Sequence, residues 1–247
     1  TATSQLEKSK RIIAANYGTE NYLMSRAFEI EGLVLHKLGK SSEGLALCKK
    51  AAIMNADIFG EINQFTASSL SNVGLIYQET GDFAKAEEVI RHSFNIRQTL
   101  YGIDHPQTAI SMANLATVLM AQSRYSDADK LLAASLEILK ARGMLNSNLS
   151  LTVINNIALM SQQQGQTETA KQLYKQALKM METDKEQNGL VYGTVINNLA
   201  IISIEEKQYE EALQYSEQAM AYAKQSQGIH SIPYIKAVNN MLVIYSK

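Results

Sequence analysis

Two prolines, one cysteine, no tryptophan and almost no net charge (−1) are found in 247 residues. Each scarcity excludes something. Proline breaks helices and marks loops, so two of them point to long uninterrupted helices rather than a loop-rich or disordered chain. The lone Cys48 rules out a disulfide framework and a cysteine zinc site. A balanced charge gives no bulk electrostatic pull toward nucleic acid or an anionic membrane, and neither is expected as a partner. The longest uncharged stretch, residues 143–167, carries Asn146, Asn148, Asn155, Asn156 and four glutamines. That is too many amides for a hydrocarbon layer of about 30 Å. No signal peptide is visible at the start, and a cytoplasmic protein is expected.

What the chain does contain is repetition. Asn72, Asn114, Asn156, Asn198 and Asn240 stand 42 residues apart, as do Ala86, Ala128, Ala170 and Ala212. Gly18, Gly60, Gly102 and Gly228 share a second register of the same period, with Gly143 one residue off it. Each unit reads as two helices. From Phe65 to Thr80, Leu70, Val73, Ile76 and Tyr77 fall at helical spacing, Gly81-Asp82 breaks the stripe, and a second stripe runs from Phe83 to Leu100. Tyr101-Gly102-Ile103-Asp104-His105-Pro106 closes the unit, with glycine at a helix end and proline before the next start. Later turns are expected at Ser123-Arg124, Gly165-Gln166 and Lys207-Gln208, and closing loops near 143–148, 185–190 and 228–233. Small residues recur at Gly32, Gly74, Ala116, Ala158 and Ala200, and at Ser93, Ser135, Ala177 and Ala219. They predict helix pairs whose axes approach to about 8 Å.

The segment Leu70-x2-Val73-Gly74-x2-Tyr77 followed by Ala86-x3-Ile90 resembles the tetratricopeptide repeat (TPR) pattern W-x2-L-G-x2-Y…A-x3-F. The period of 42, the loop at 101–106, Asn155-Asn156-Ile157-Ala158, Asn197-Asn198-Leu199-Ala200 and Leu47-Cys48-Lys49-Lys50-Ala51 are similar to the kinesin light chain type. The resemblance implies an all-α, right-handed TPR superhelix, an α-solenoid of about twelve antiparallel helices. A single array over 1–247 is expected. It comprises the second helix of a truncated repeat (1–18), five repeats (19–60, 61–102, 103–144, 145–186, 187–230) and a first helix of a sixth repeat or cap (231–247). The apolar last helix reads as one that continues against a further repeat or a partner.

Nothing in the sequence points to catalysis. Gly39-Lys40-Ser41 lacks the P-loop glycine, because Val34 stands at that position. His36, His92, His105 and His230 form no metal-ligand spacing, so no metal or other cofactor is expected. His92, His105 and His230 read as surface residues, Cys48 as core. The cluster Glu205, Glu206, Glu210 and Glu211 straddles a turn and reads as a solvated turn and helix N-terminus.

Function is therefore sought in the asparagine ladder. Asparagine inside a helix costs roughly half a kcal/mol against alanine, so five at one register need compensation. An amide offers an acceptor and two donors, enough to hold both groups of a peptide unit. By resemblance to the kinesin light chain type, Asn72, Asn114, Asn156, Asn198 and Asn240 line a concave groove and hold an extended partner segment. Asn155, Asn197 and Asn239, one position earlier, and Ser68, Gln78, Thr152, Gln162 and Thr194 are expected beside them. The other reading is a structural ladder in which each asparagine bridges neighbouring first helices. Neutral residues at Ser71, Ala113, Asn155 and Asn197 disfavour a clamp for an acidic chaperone tail. They suit a neutral or mixed-charge peptide with apolar anchors. The expected role is a protein-interaction scaffold, not an enzyme. The alternative is a sensor array that controls a fused effector, such as a CHAT caspase-like protease, a kinase or a signalling NTPase. A third reading is a receptor for a short signalling peptide.

Overall fold

The computed structural model describes residues 2–181 and 189–247. They form twelve α-helices and, among the described residues, no strand. The helices are α1 (Ala2–Tyr17), α2 (Tyr22–Lys37), α3 (Ser41–Phe59), α4 (Gln64–Glu79), α5 (Phe83–Tyr101), α6 (Pro106–Ala121), α7 (Tyr125–Ala141), α8 (Asn148–Gln163), α9 (Thr167–Met181), α10 (Gly189–Glu205), α11 (Tyr209–Gln227) and α12 (Ile232–Tyr245). Of the closing loop expected at 185–190, residues 185–188 lie outside the described residues, and Gly189 already opens α10. The repeat boundary expected at 186–187 also lies outside them.

The turns within repeats explain one glycine register. Gly39, Gly81 and Gly165 each take φ near +80° (83, 84 and 76°) between paired helices. A side chain is disfavoured there, and glycine reverses the chain at no steric cost. Ser123 and Lys207 hold the same position at φ 60° and accept the strain. The closing loops impose a second constraint. Gly102 sits at φ 83°, ψ 170°, a conformation essentially reserved for glycine. Its carbonyl accepts from Thr108 Oγ1 at 2.7 Å, and the equivalent Gly60 carbonyl accepts from Thr66 Oγ1 at 3.0 Å. Starts are capped as well. The side chains of Asn63, His105 and Ser147 accept from the backbone N–H groups of Phe65, Gln107 and Ser150. Both prolines sit in the first turns of α6 and α12, where no N–H is needed.

The backbone divides into two compact units, Thr1–Ile138 and Leu139–Lys247. In the first, α2 packs on α3, α3 on α4, α4 on α5 and α5 on α6. At the α2–α3 crossing the glycines let the two helices approach closely. A methyl added at Gly32 would lie 2.6 Å from Cys48 Sγ and 2.7 Å from the Gly44 carbonyl oxygen. At Gly74 the space is filled instead by the Ile90 side chain. In the second unit α8 packs on α9, α9 on α10, α10 on α11 and α11 on α12, with α10 also touching α8 and α12. Ala158, Ala170, Ala177, Ala200 and Ala212 are fully buried, as the small-residue registers predict.

Polar seams join successive repeats. Glu79 of the second repeat takes Lys37 Nζ at 2.7 Å and His36 Nε2 at 2.8 Å. Glu87 accepts from Gln122 Nε2 and from the Arg124 guanidinium, both at 2.9 Å. In the second unit Lys171 pairs with Glu206 at 2.7 Å and Glu211 at 3.0 Å. The acidic cluster read as a solvated turn is therefore partly an inter-repeat ion seam. The sequence could not show this, because Lys171 arrives from a helix one repeat earlier.

Candidate functional site

The expected ladder splits into two kinds of residue. In the second unit the amides are spent on one another. Asn198 Nδ2 donates to Asn155 Oδ1 at 3.2 Å and also to the Tyr174 hydroxyl at 3.2 Å. One repeat on, Asn240 Nδ2 donates to Asn197 Oδ1 at 3.0 Å. Asn155 Nδ2 also reaches Asn156 Oδ1 at 3.5 Å. The doubled asparagines thus bridge neighbouring first helices, α8 to α10 and α10 to α12. Burial pushes the Tyr174 phenol up, against the lowering effect of its bond from Asn198, so Tyr174 is a fixed neutral hydroxyl beneath the bridge.

In the first unit the same register is unspent. Asn72 and Asn114 are half-buried, and their side chains make no hydrogen bond among the described residues. Ser68 lies one turn before Asn72 on the same side of α4. Of the flanking residues, Gln78 Oε1 accepts from Thr117 Oγ1 at 3.3 Å. Gln162 Nε2 donates to Glu205 at 3.2 Å. Thr152 is exposed and bonds its own helix at the Asn148 carbonyl. Thr194, Asn197 and Asn198 share a small pocket of about 110 Å³ with Tyr222 and Lys236, and Asn239 is exposed.

A larger polar cleft, about 570 Å³, lies in the first unit among α2, α3, α4 and α5, at the start of α6. Ser68 lines it, but most of its wall was not anticipated: Arg26, Glu29, Asn55, Arg97 and Tyr101. Arg97, 7% exposed, is held by hydroxyls alone. Its Nη1 donates to Ser93 (2.7 Å), Ser111 (2.9 Å) and Ser71 (3.1 Å), and its Nη2 to Ser68 (3.2 Å). Burial lowers its pKa below the ordinary arginine value. Beside it the buried Glu29 accepts from Arg26 and Ser69, while Asn55 joins Ser69 at 2.8 Å and Ser25 at 2.5 Å. Tyr101 stacks on His105 with ring centroids 4.6 Å apart, and its hydroxyl donates to Gln64 Oε1 at 3.0 Å.

These residues carry no repeat signal because each departs from its register. Asn55 and Arg97 share a register with Leu139, Met181 and Ala223, all buried. Arg26 falls in the register of Ser68, Thr152 and Thr194, and Glu29 in that of Ser71, Ala113, Asn155 and Asn197. A search for shared positions passes over the positions at which one repeat differs. A search for charged residues in apolar registers would have found Arg97.

Other candidates have structural partners. Cys48 is fully buried, and burial followed by the nearby Glu29 charge pushes its thiol up to about 11, leaving an unreactive neutral group at ordinary pH. His36 is buried and bonded to Glu79 and Ser41, and His105 caps α6. Among the described residues no group of His, Cys, Asp and Glu is placed to hold a metal. No described helix is long and apolar enough to cross a membrane.

Comparison with known proteins agrees with this architecture. No curated protein sequence matches the chain. Among solved structures, a Podosopora anserina putative kinesin light chain with nearly identical TPR-like repeats is 20% identical, with a TM-score of 0.59. The match covers 82% of this chain and 95% of that one. BtubC (BKLC) from P. vanneervenii is 15% identical, with a TM-score of 0.66, over 93% and 91% of the two chains. NprR in complex with its cognate peptide NprX is 17% identical, with a TM-score of 0.74, over 99% of this chain and 66% of that one. The tetratricopeptide repeat profile matches residues 23–99, 65–141, 114–183 and 149–225 in overlapping windows. With paired helices, left-handed turns and the small-residue registers in place, the chain belongs to the tetratricopeptide repeat family.

Proposed function

We propose that this chain is a protein-interaction module that holds an extended peptide, or the extended segment of a protein, on the first-helix face of its first unit. The observation that supports this most is the contrast between the two halves of the asparagine register. Asn198 and Asn240 are occupied by neighbouring asparagines, whereas Asn72 and Asn114 keep both amide donors and the acceptor unspent in half-buried positions. Half-buried amides without protein partners forgo hydrogen bonds that a peptide backbone could supply. Ser68 and the cleft beside it extend the same face toward α2. The peptide is neutral or of mixed charge, with apolar anchors, in the manner of other extended-chain recognition. Catalysis by this chain is not part of the reading.

The two halves should respond oppositely to alanine. Asn72→Ala with Asn114→Ala should keep or raise stability by a few tenths of a kcal/mol, through helix propensity. It should also lower retention of a random octapeptide pool at least tenfold. Asn198→Ala should instead cost about 1 kcal/mol, the worth of a net hydrogen bond. Unchanged retention after the double substitution would refute peptide capture by Asn72 and Asn114.

A second reading is an array that senses a peptide and controls a fused effector; its peptide-sensing part draws support from the likeness to NprR, solved with its cognate peptide, of which this chain spans 66%. Reading the parent open reading frame on both sides of these residues tests it, and a flanking protease, kinase or NTPase motif would favour it.

A further inference from the structure

We infer that the Arg97 cleft is a carboxylate-binding site, taking either the chain-terminal carboxylate of a peptide or the side chain of an aspartate or glutamate within it. The inference rests on the peptide-binding reading for its ligand but on its own geometry for its chemistry. Arg97 stands in a register that is apolar in the later repeats, and among the described residues no carboxylate lies within ion-pair distance of it. A guanidinium 7% exposed has given up most of its water, and neutral hydroxyls replace that water without neutralising the charge.

The serines are arranged to aim the group rather than to quench it. Ser68 passes its proton to the Gln64 carbonyl at 2.9 Å and Ser111 to the Gln107 carbonyl at 3.3 Å, while Ser93 and Ser71, 2.9 Å apart, have the Ala67 carbonyl at 2.7 and 3.1 Å as acceptor. With their protons committed to backbone carbonyls or to one another, their lone pairs face Arg97. Nη2 has two hydrogens and one serine partner, so a donor remains for the cleft.

Charge sets the class of ligand. The cleft wall carries Arg26, Arg97 and Glu29, and Glu29 is already bonded to Arg26. One positive charge is left over, which one monovalent carboxylate would match. A dianionic phosphate would meet the Glu29 carboxylate with a surplus negative charge. The Tyr101 ring, stacked on His105, forms an apolar wall for the residue that carries the carboxylate.

The test uses the intact chain and small probes. Sodium acetate, inorganic phosphate and sodium chloride are titrated at matched ionic strength. The Arg97 Nε–H resonance and the thermal midpoint are followed. Acetate is expected to move the resonance saturably and, at ten times its half-saturating concentration, to raise the midpoint by about 3–5 °C. Arg97→Gln should abolish the rise. An equal response to chloride, a rise that survives in Arg97→Gln, or phosphate saturating below acetate would each overturn the inference. Should Arg97→Gln fail to fold, the wild-type resonance decides alone.

Three octapeptide pools then separate the sources: uncharged with a free C-terminus, C-terminally amidated with one Asp or Glu, and amidated without either. Tenfold preference for the first assigns the chain terminus, and for the second the side chain. Equal retention of the third overturns the site as a peptide determinant. If no pool is retained while acetate still binds, the peptide-binding reading fails and the anion site stands.

Discussion

Gly32→Ala sets two effects of opposite sign against each other at the α2–α3 crossing. In the middle of a helix the substitution should gain about 1 kcal/mol from backbone entropy. The added methyl, however, would lie 2.6 Å from Cys48 Sγ and 2.7 Å from the Gly44 carbonyl oxygen. Both distances are far inside van der Waals contact, and one obstacle is backbone. The thiol is fully buried, so it has no room to swing aside. The helices must separate, and overpacking of this kind costs about 1–3 kcal/mol. The clash should win, leaving the protein about 1–2 kcal/mol less stable. Gly193→Ala in α10 is the control. There the methyl would sit 3.5 Å from the Tyr222 ring, an ordinary contact, so propensity should win and stability should rise. Urea unfolding followed by circular dichroism reads both changes. Hydrogen exchange of the α2 and α3 amides localises the loss, since a repeat array can open piecewise. Combining Gly32→Ala with Cys48→Ala removes the thiol but leaves the Gly44 carbonyl in place, so rescue should be partial. A Gly32→Ala protein as stable as wild type would refute the packing argument, and full rescue by Cys48→Ala would refute the role of the backbone.

Three further predictions follow from the geometry. Ser123→Gly and Lys207→Gly should each add up to about 1 kcal/mol, because both residues are held at φ 60° where glycine is unstrained; a loss of stability on urea titration would contradict the strain. For Glu87, burial alone would raise the carboxyl, but hydrogen bonds from Arg91, Gln122 and Arg124 outweigh it and hold the pKa below the ordinary 4.5. Its contribution is therefore complete above pH 4.5 and disappears as pH falls through the lowered folded value. The stability gap between wild type and Glu87→Gln, about 1 kcal/mol at neutral pH, should close over that range. Cys48 should react with a thiol reagent only as fast as α2 and α3 open, and rapid labelling of the folded protein would place the thiol outside the core.

Much of this molecule was legible in the chain because repetition turns one sequence into several trials of the same unit. Asn72, Ala86 and Gly102 each recur at one spacing, and chance does not do this. Helix number, turn positions and small-residue crossings followed, since each depends on local dihedral limits or on the volume of one side chain. The turn at Gly81 and the closing Gly102 follow from φ alone, which a residue type nearly fixes.

What the sequence could not assign was the spending of hydrogen bonds. Asn114 and Asn198 are identical in register, yet one is unspent and the other bonded, because Asn155 stands 43 residues before the second, whereas the same position before the first is Ser71, whose hydroxyl is engaged by Ala67, Ser93 and Arg97. Arg97 gave no repeat signal, and its neighbours Ser68, Ser71, Ser93 and Ser111 come from three helices. Local propensity determined where helices begin, end and touch. Only the tertiary structure decided which polar groups are satisfied, because a hydrogen bond requires two partners and they arrive from different repeats.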